Sequence, residues 1–540
     1  MMLFKNIPKR CVIRDFIFTI IWSIFNISYI RMLSLLVEQY STENPVLTVV
    51  ITYFLFLIFW EIVEFVADVY QEVTCSWLEG RTRIWALNEI YELKPSVIKQ
   101  YNTGYINGVV SKFIRQNTDA YSRTILFAPL SLIYVIYCIV MMWRFHFIYG
   151  VSLLGLLVCG FLLRFLVTGD KQDKKLTELE GIRDKLFIDN VSNINTIQKM
   201  QAKDFVEGTL QSSAKDCRVQ TYKWASVKEI GFAGYKLLIY IYLPVVCFLY
   251  LAYPDTIKDK VAFFSFLSVI AVQLVHTSKD LAMTLISITR FNSVKKKLLS
   301  IIASENKRRP LLQIDEFRNA QMFDIQFQYE HKEHDKAVTI KIPYFHLSKG
   351  DKICLYGESG QGKSTLLNIL SGEIETNGIV VNGELTKDRL ECVFIAQDTE
   401  ILDMSLRDNL TLGNKNISDN QILELINKCG LQEWYDLQKD GLDTLLGQRG
   451  IFVSTGQRQR LNLIRGLLIP DKEIYLLDEP TSNVDEETEE RLIEVIKEYL
   501  ANKTMVVVTH RPKIKEICNK AYKFTNSILG REENLIDSNK

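Results

Sequence analysis

The residues Gly357 to Thr365 read GESGQGKST, a glycine loop suited by its residue types to holding a phosphate chain. Gly357, Gly360 and Gly362 let the backbone curl with its N–H groups turned inward, an anion cradle at a helix N-terminus. Glu358, Ser359, Gln361 and Thr365 complete the loop. Lys363 is placed to reach the β- and γ-phosphates, and Ser364 to offer its hydroxyl to Mg²⁺. The apolar run Ile353–Tyr356 before the loop predicts a strand, and Leu366–Leu370 after it predicts a helix. A strand feeding a glycine loop feeding a helix implies nucleoside triphosphate binding; these flanks weigh against a chance match in an ordinary βα turn.

Further residues converge on the same chemistry. The apolar run Ile474–Leu477 ends in Asp478-Glu479, so a buried parallel strand delivers two carboxylates to the edge where open α/β sheets bind ligands. There Asp478 suits Mg²⁺ and Glu479 suits a general base that polarises the attacking water. Val506–Thr509 is a second such run, ending at His510, in reach of a γ-phosphate. Gln397 follows a predicted strand, Cys392–Ala396. Alternation in Phe323–Tyr329 and Val338–Ile342 predicts antiparallel strands. Tyr329 ends the first, where it either stacks on an adenine or simply packs the strand. The string VSTGQRQR spans Val453–Arg460, with Ser454, Thr455 and Gly456 before a helix striped by Leu461, Ile464, Leu467 and Leu468. That is a second helix N-terminus able to bind phosphate, of no use to the same nucleotide unless it acts in another copy of the domain.

These residues occupy one half of a chain of 540 residues, long enough for two or more domains. A net charge of +1 supplies no bulk attraction to nucleic acid. Ten scattered cysteines without C-x-x-C pairs suggest neither a disulfide framework nor a zinc site. Six stretches suit bilayer spans, near Asp15–Val37, Leu47–Val66, Thr124–Trp143, Phe147–Val167, Ile230–Tyr253 and Val261–Leu285. Lys5, Lys9, Arg10 and Arg14 put the N-terminus on the cytoplasmic side, and an even number of spans returns the second half there. No secretory signal pattern precedes the first span, so the N-terminus is expected to be uncleaved, in a membrane the sequence does not specify. Inner segments 70–123 and 168–229 read as paired helical extensions, for instance Leu176–Ile188 then Ile197–Ser213. Their tips, near Ser96–Gly104 and Gln198–Phe205, are the expected contacts with the nucleotide domain. Glu61, Glu64 and Asp68 share a helix face, and Gln273 and His276 sit in the last span; each lines a path or serves a structural pairing, for example with Lys236 or Arg31. The expected division is a membrane domain at 1–290, a charged linker at 291–318 and a nucleotide-binding domain at 319–540.

Taken together the chain resembles an ABC transporter of the exporter type, a half transporter with one membrane domain and one nucleotide-binding domain. GESGQGKST resembles the family's Walker A loop, IYLLDE at 474–479 its Walker B strand with the catalytic glutamate, and Gln397 its Q-loop. Ser482-Asn483-Val484-Asp485 resembles the D-loop, His510 the H-loop, and Tyr329 the adenine-stacking aromatic. LLGQRG at 445–450 resembles the segment that senses the membrane helices. The resemblance implies a six-helix membrane domain followed by an α/β P-loop NTPase domain with an antiparallel subdomain. It implies ATP and Mg²⁺ as ligands and a homodimer or a heterodimer with a related half. Ser454, Gly456 and Gln457 of one copy then close on the ATP of the other. Two departures stand out: VSTGQ replaces LSGGQ, placing Thr455 where a glycine is usual, and Gln448 replaces the glutamate of GERG. DNVSNINTIQKM at 189–200 is similar to the inner loop of B-type half transporters, most of all the mitochondrial branch exporting glutathione-linked sulfur compounds. The expected function is ATP-driven export of an unidentified substrate; a membrane-bound ATP-dependent regulator with vestigial hydrolysis is the rival, and Thr455 favours it a little.

Overall fold

A computed structural model describes residues 8–40, 46–101, 103–166, 170–252, 260–328, 339–376, 378–397, 400–447, 453–531 and 533–534. Two compact units divide between Lys307 and Arg308.

The first unit is helical: α1 (Lys9–Tyr40), α2 (Val46–Tyr91), α3 (Pro95–Tyr101), α4 (Thr103–Tyr121), α5 (Ala128–Phe145), α6 (Phe147–Leu166), α7 (Asp170–Ser192), α8 (Ile194–Lys199), α9 (Lys203–Ala252) and α10 (Lys260–Ile301). The predicted spans fall on α1, α2, α5, α6, α9 and α10. The continuous run Thr103–Phe145 and α9 are each long and apolar enough to cross a membrane. Large apolar side chains stay exposed along the outer faces, among them Phe54, Leu55 and Phe65 on α2, Ile136 and Val140 on α5, and Phe248 and Leu251 on α9. Water would penalise such a surface, whereas hydrocarbon accommodates it. Inside, Cys138 and Met142 of α5, Leu153 of α6, Val246 of α9 and Phe263, Phe266 and Ile270 of α10 form one packed cluster.

The polar helical extensions differ from the sequence expectation at one turn. Ile197–Ser213 is not a single helix: Gln201 takes φ +52° and breaks the chain between α8 and α9. A left-handed residue cannot continue a right-handed helix. A π-helical turn, Ser122–Phe127, joins α4 to α5 just before Pro129. Its loosened carbonyls find side-chain donors: Thr19 Oγ1 donates to Ile125 O at 3.2 Å and Thr284 Oγ1 to Arg123 O at 3.4 Å. Nearby the buried Asp15 accepts from Tyr121 Oη at 2.6 Å, from Arg14 Nε at 3.0 Å, and from Tyr70 Oη.

The second unit is built on one sheet of β1 (Asn319–Gln328), β2 (Thr339–Ser348), β3 (Lys352–Gly357), β4 (Ile379–Val381), β5 (Glu384–Thr386), β6 (Cys392–Ile395), β7 (Ile474–Asp478), β8 (Thr504–Val508), β9 (Lys520–Thr525), β10 (Ile528–Leu529) and β11 (Glu533–Asn534). The order is β5-β4-β1-β2-β10-β9-β3-β8-β7-β6, with β11 beside β9. The block β9-β3-β8-β7-β6 is parallel, while β1 pairs antiparallel with β2 and with β4. Both faces of the parallel block are buried. Leu476 and Ile474 of β7 face a cluster containing Leu366, Leu367 and Leu370 of α11 (Lys363–Leu370). Tyr475 and Leu477 face the opposite cluster, with Leu461, Leu463 and Ile464 of a later helix. Two-sided burial is why these strands read as unbroken apolar runs, each buried Leu or Ile contributing about 1.5–3 kcal/mol. Smaller helices complete the unit: α12 (Leu406–Thr411), α13 (Asp419–Lys428), α14 (Gln432–Asp436), α15 (Thr455–Leu467), α16 (Glu486–Tyr499) and α17 (Pro512–Lys515).

Candidate functional site

Parallel pairing of β3, β8, β7 and β6 brings four sequence-distant groups to one edge of the sheet. The phosphate loop leaves β3, His510 lies two residues beyond β8, Asp478 and Glu479 end β7, and Gln397 lies two residues beyond β6. The loop geometry requires its glycines. At Gly357, φ is +141° and a Cβ would fall 2.6 Å from Phe524 O; at Gly362, φ is +112° and a Cβ would meet Ile340 Cγ2 at 2.8 Å. Lys363 is buried, and its Nζ donates back to Gly357 O at 2.9 Å and Glu358 O at 2.7 Å, so the ammonium lies over the curl. Burial pushes its pKa down, while the Glu479 and Asp478 carboxylates pull it up. Ser359, Gly360 and Ser364 are exposed, whereas Thr365 is buried beneath the loop. Gln361 Nε2 donates to Glu358 Oε2 at 3.1 Å.

Asp478 is buried, and burial raises its carboxyl above the ordinary aspartate value, partly offset by a hydrogen bond from Ser364. A carboxylate and a hydroxyl so paired, with Lys363 nearby, form an oxygen set that fits a small hard cation. Glu479 has φ +51°, a backbone region disfavoured for residues with a Cβ. Its carboxylate is held from two sides: Gln397 Nε2 donates to Oε2 at 2.8 Å, and His510 Nε2 lies 3.3 Å from Oε1. Since the Gln397 amide nitrogen serves Glu479, its carbonyl oxygen is left for a cation.

The second predicted anion site is at the start of α15. Ser454 caps the helix, its Oγ accepting from Gln457 N at 3.3 Å while Gln457 Oε1 accepts from Ser454 N at 2.9 Å. Arg460 Nε donates to Gly456 O at 3.3 Å. The hydrogen bonds that Ser454, Gly456 and Gln457 make among the described residues remain within α15. Thr455, at the first helical position, is exposed. Tyr329 and Gln448 lie outside the described residues. Sequence reasoning missed the polar face of α15: Gln459 and Asn462 are both buried, Gln459 Nε2 donating to Glu479 O at 2.6 Å and Asn462 Nδ2 to Ala396 O at 2.9 Å. Their spacing of three with Gly466 four residues further on was the available signal, a helix face too polar for its burial.

A glycine loop, a carboxylate pair and a histidine on adjacent parallel strand ends define a nucleoside triphosphate hydrolase. Residues 340–482 match the family profile described as ABC transporter. The whole chain is similar in fold to a bacterial Atm1-family ABC exporter solved with ATP bound, at a TM-score of 0.82 and 16% identity, covering 98% of this chain and 96% of that one. It is 24% identical over 465 residues to the heterocyst differentiation ATP-binding protein HepA of Nostoc, covering 82% of this chain and 74% of HepA. It is 26% identical over 378 residues to the alpha-hemolysin translocation ATP-binding protein HlyB of Escherichia coli, covering 67% of this chain and 52% of HlyB. Against the ATP-dependent lipid A-core flippase of Idiomarina loihiensis it is 29% identical over 226 residues, 38% of that protein's length. The match to HepA thus spans about three quarters of that relative, and the other two span about half or less. Residues 340–482 thus carry the ABC transporter domain, and the chain as a whole has the fold of an ABC exporter half transporter.

Proposed function

We propose that two copies, or one copy and a related half, bind ATP between their nucleotide domains and couple its hydrolysis to export across a membrane. In this reading 1–290 is the membrane domain, 291–318 the connection and 319–540 the nucleotide domain, with the N-terminus and nucleotide domain on the cytoplasmic or matrix-like side. The observation that carries it is the Glu479 carboxylate, fixed between Gln397 and His510 at the strand end beside the phosphate loop. In this reading the loop amides and Lys363 hold the triphosphate, and Tyr329, outside the described residues, would stack on the base. Ser364, Asp478 and Gln397 hold Mg²⁺, which supplies neutralisation of developing phosphate charge when bound. Glu479 takes the proton of the attacking water, and His510 turns between Glu479 and the γ-phosphate. Ser454, Gly456 and Gln457 from the other half complete the γ-phosphate contacts through the Ser454 hydroxyl and the backbone amides of α15's first turn.

Replacing Glu479 with Gln keeps the Gln397 and His510 contacts in reach but removes the base. Steady-state ATPase of the detergent-purified protein is expected to fall by roughly 10²–10⁴-fold while ATP remains bound. Unchanged turnover in that variant would remove Glu479 from the mechanism. Lys363→Ala is expected to lose ATP binding and turnover together, as read by nucleotide retention on the purified protein.

A further inference from the structure

We propose that Gln459 and Asn462 form an amide bracket by which α15 positions the general base, so that the helix serving one ATP site sets the geometry of the other. The inference rests on the roles given above to Glu479 and to the first turn of α15. Both residues are buried, lie three apart on one helix face, and point at the ends of β7 and β6. Gln459 spends both amide protons there: Nε2 donates to Glu479 O at 2.6 Å and to Ser482 Oγ at 2.8 Å. Asn462 Nδ2 donates to Ala396 O at 2.9 Å, the residue before Gln397, which in turn holds the Glu479 carboxylate. The bracket therefore grips the backbone of the base and that of its side-chain partner.

The Glu479 peptide needs such a grip. Its φ of +51° is unfavourable for a residue with a side chain, and on the sheet side its amide is tied to Val508 O at 2.9 Å. The carbonyl is held by Gln459 and by Ser482 N at 3.1 Å, within the loop that follows. The helix also lies too close for slack. A Cβ at Gly466 would fall 2.5 Å from Ile395 Cδ1 of β6, and one at Gly456 would fall 3.2 Å from Asn483 O. A displacement of α15, when its N-terminus engages the triphosphate of the other half, thus reaches Glu479 and Gln397 through two hydrogen-bonded amides backed by close packing at Gly456 and Gly466.

Gln459→Met preserves length and volume but removes both donors. In the full-length protein kcat for ATP is expected to fall about tenfold or more, because a shift of the base by a fraction of an ångström is amplified in rate. Direct binding of a fluorescent ATP analogue is expected to stay within about twofold, and the thermal midpoint to stay near that of the parent. Gln459→Asn, too short to span both acceptors, is expected to behave alike and stands in if the Met variant folds poorly. Any cooperativity in the ATP dependence of the parent is expected to be lost in both. A kcat within about twofold of the parent, or equal losses in kcat, binding and melting temperature, overturns the bracket. Glu479→Gln measured alongside separates the two readings: if it too leaves kcat intact, the catalytic assignment fails rather than the bracket alone.

Discussion

In the proposed two-copy site Thr455 and Asp478 fall on opposite sides of the triphosphate, and each carries a cost that a single substitution exposes. Thr455 puts an exposed, branched side chain at the first turn of α15, where a phosphate must approach backbone amides. Thr455→Gly is expected to raise kcat by about threefold or more, even though glycine lowers helix propensity relative to threonine by roughly a few tenths of a kcal/mol; a steady-state ATPase comparison decides it. Asp478 is held above the ordinary carboxylate range by burial. Its protonated form is favoured in the fold, so its contribution to stability is present in acid and lost as pH rises through the folded value. Asp478→Asn is therefore expected to raise the melting temperature of nucleotide-free protein at pH 7 and to leave it unchanged near pH 3, while abolishing Mg²⁺-dependent turnover. At this scale the sequence was legible for the groups that meet at the parallel strand ends, Lys363, Gln397, Asp478, Glu479 and His510, because each follows an apolar strand run. It was silent about Gln459 and Asn462, because their partners are main-chain atoms of residues far along the chain, and a backbone acceptor leaves no mark in residue type.

Among the elements, strands with both faces buried and long apolar helices were readable directly: β3, β6, β7 and β8 fall on the predicted runs, and the six spans fall on six helices. The break at Gln201 and the π-helical turn at Ser122–Phe127 were not readable. Neither has a Gly or Pro within it; the π-turn is satisfied by threonines from α1 and α10, a tertiary cause invisible to local pattern. The same crossing explains Asp15, which looked like the polar start of a span and instead is buried, joining α1 to α2 through Tyr70 and to α4 through Tyr121. Asp15→Ala leaves two phenols without their acceptor in a closely packed place. The loss is expected to be about 2–4 kcal/mol, read as a lowered unfolding midpoint in detergent, with Lys112→Ala, whose ion pair with Glu180 is part-exposed, as a weakly perturbing control.

For the whole molecule, the distribution of anion sites makes a prediction about assembly. If Ser454 of one copy serves the triphosphate held by the other, Glu479→Gln and Ser454→Arg chains are each inactive alone. Mixed dimers of the two carry one fully intact site. Co-expression with separate affinity tags is expected to recover up to about half of the parent ATPase per mixed dimer. No recovery, with the parent chain active alone, would place a complete site within one copy; a parent chain inactive alone would point to a related half. The ladder between β1 and β2 carries a last consequence. Gln328 and Thr339 face each other as its final rung, and Ile340, the next residue, is the side chain against which Gly362 lies flush. The end of the β1–β2 ladder is thereby tied, through Ile340, to the phosphate loop at Gly362. The curvature of the phosphate loop is therefore set in part by a strand residue outside the glycine motif, and a bulkier side chain at 340 is expected to deform the loop without altering any of its own residues.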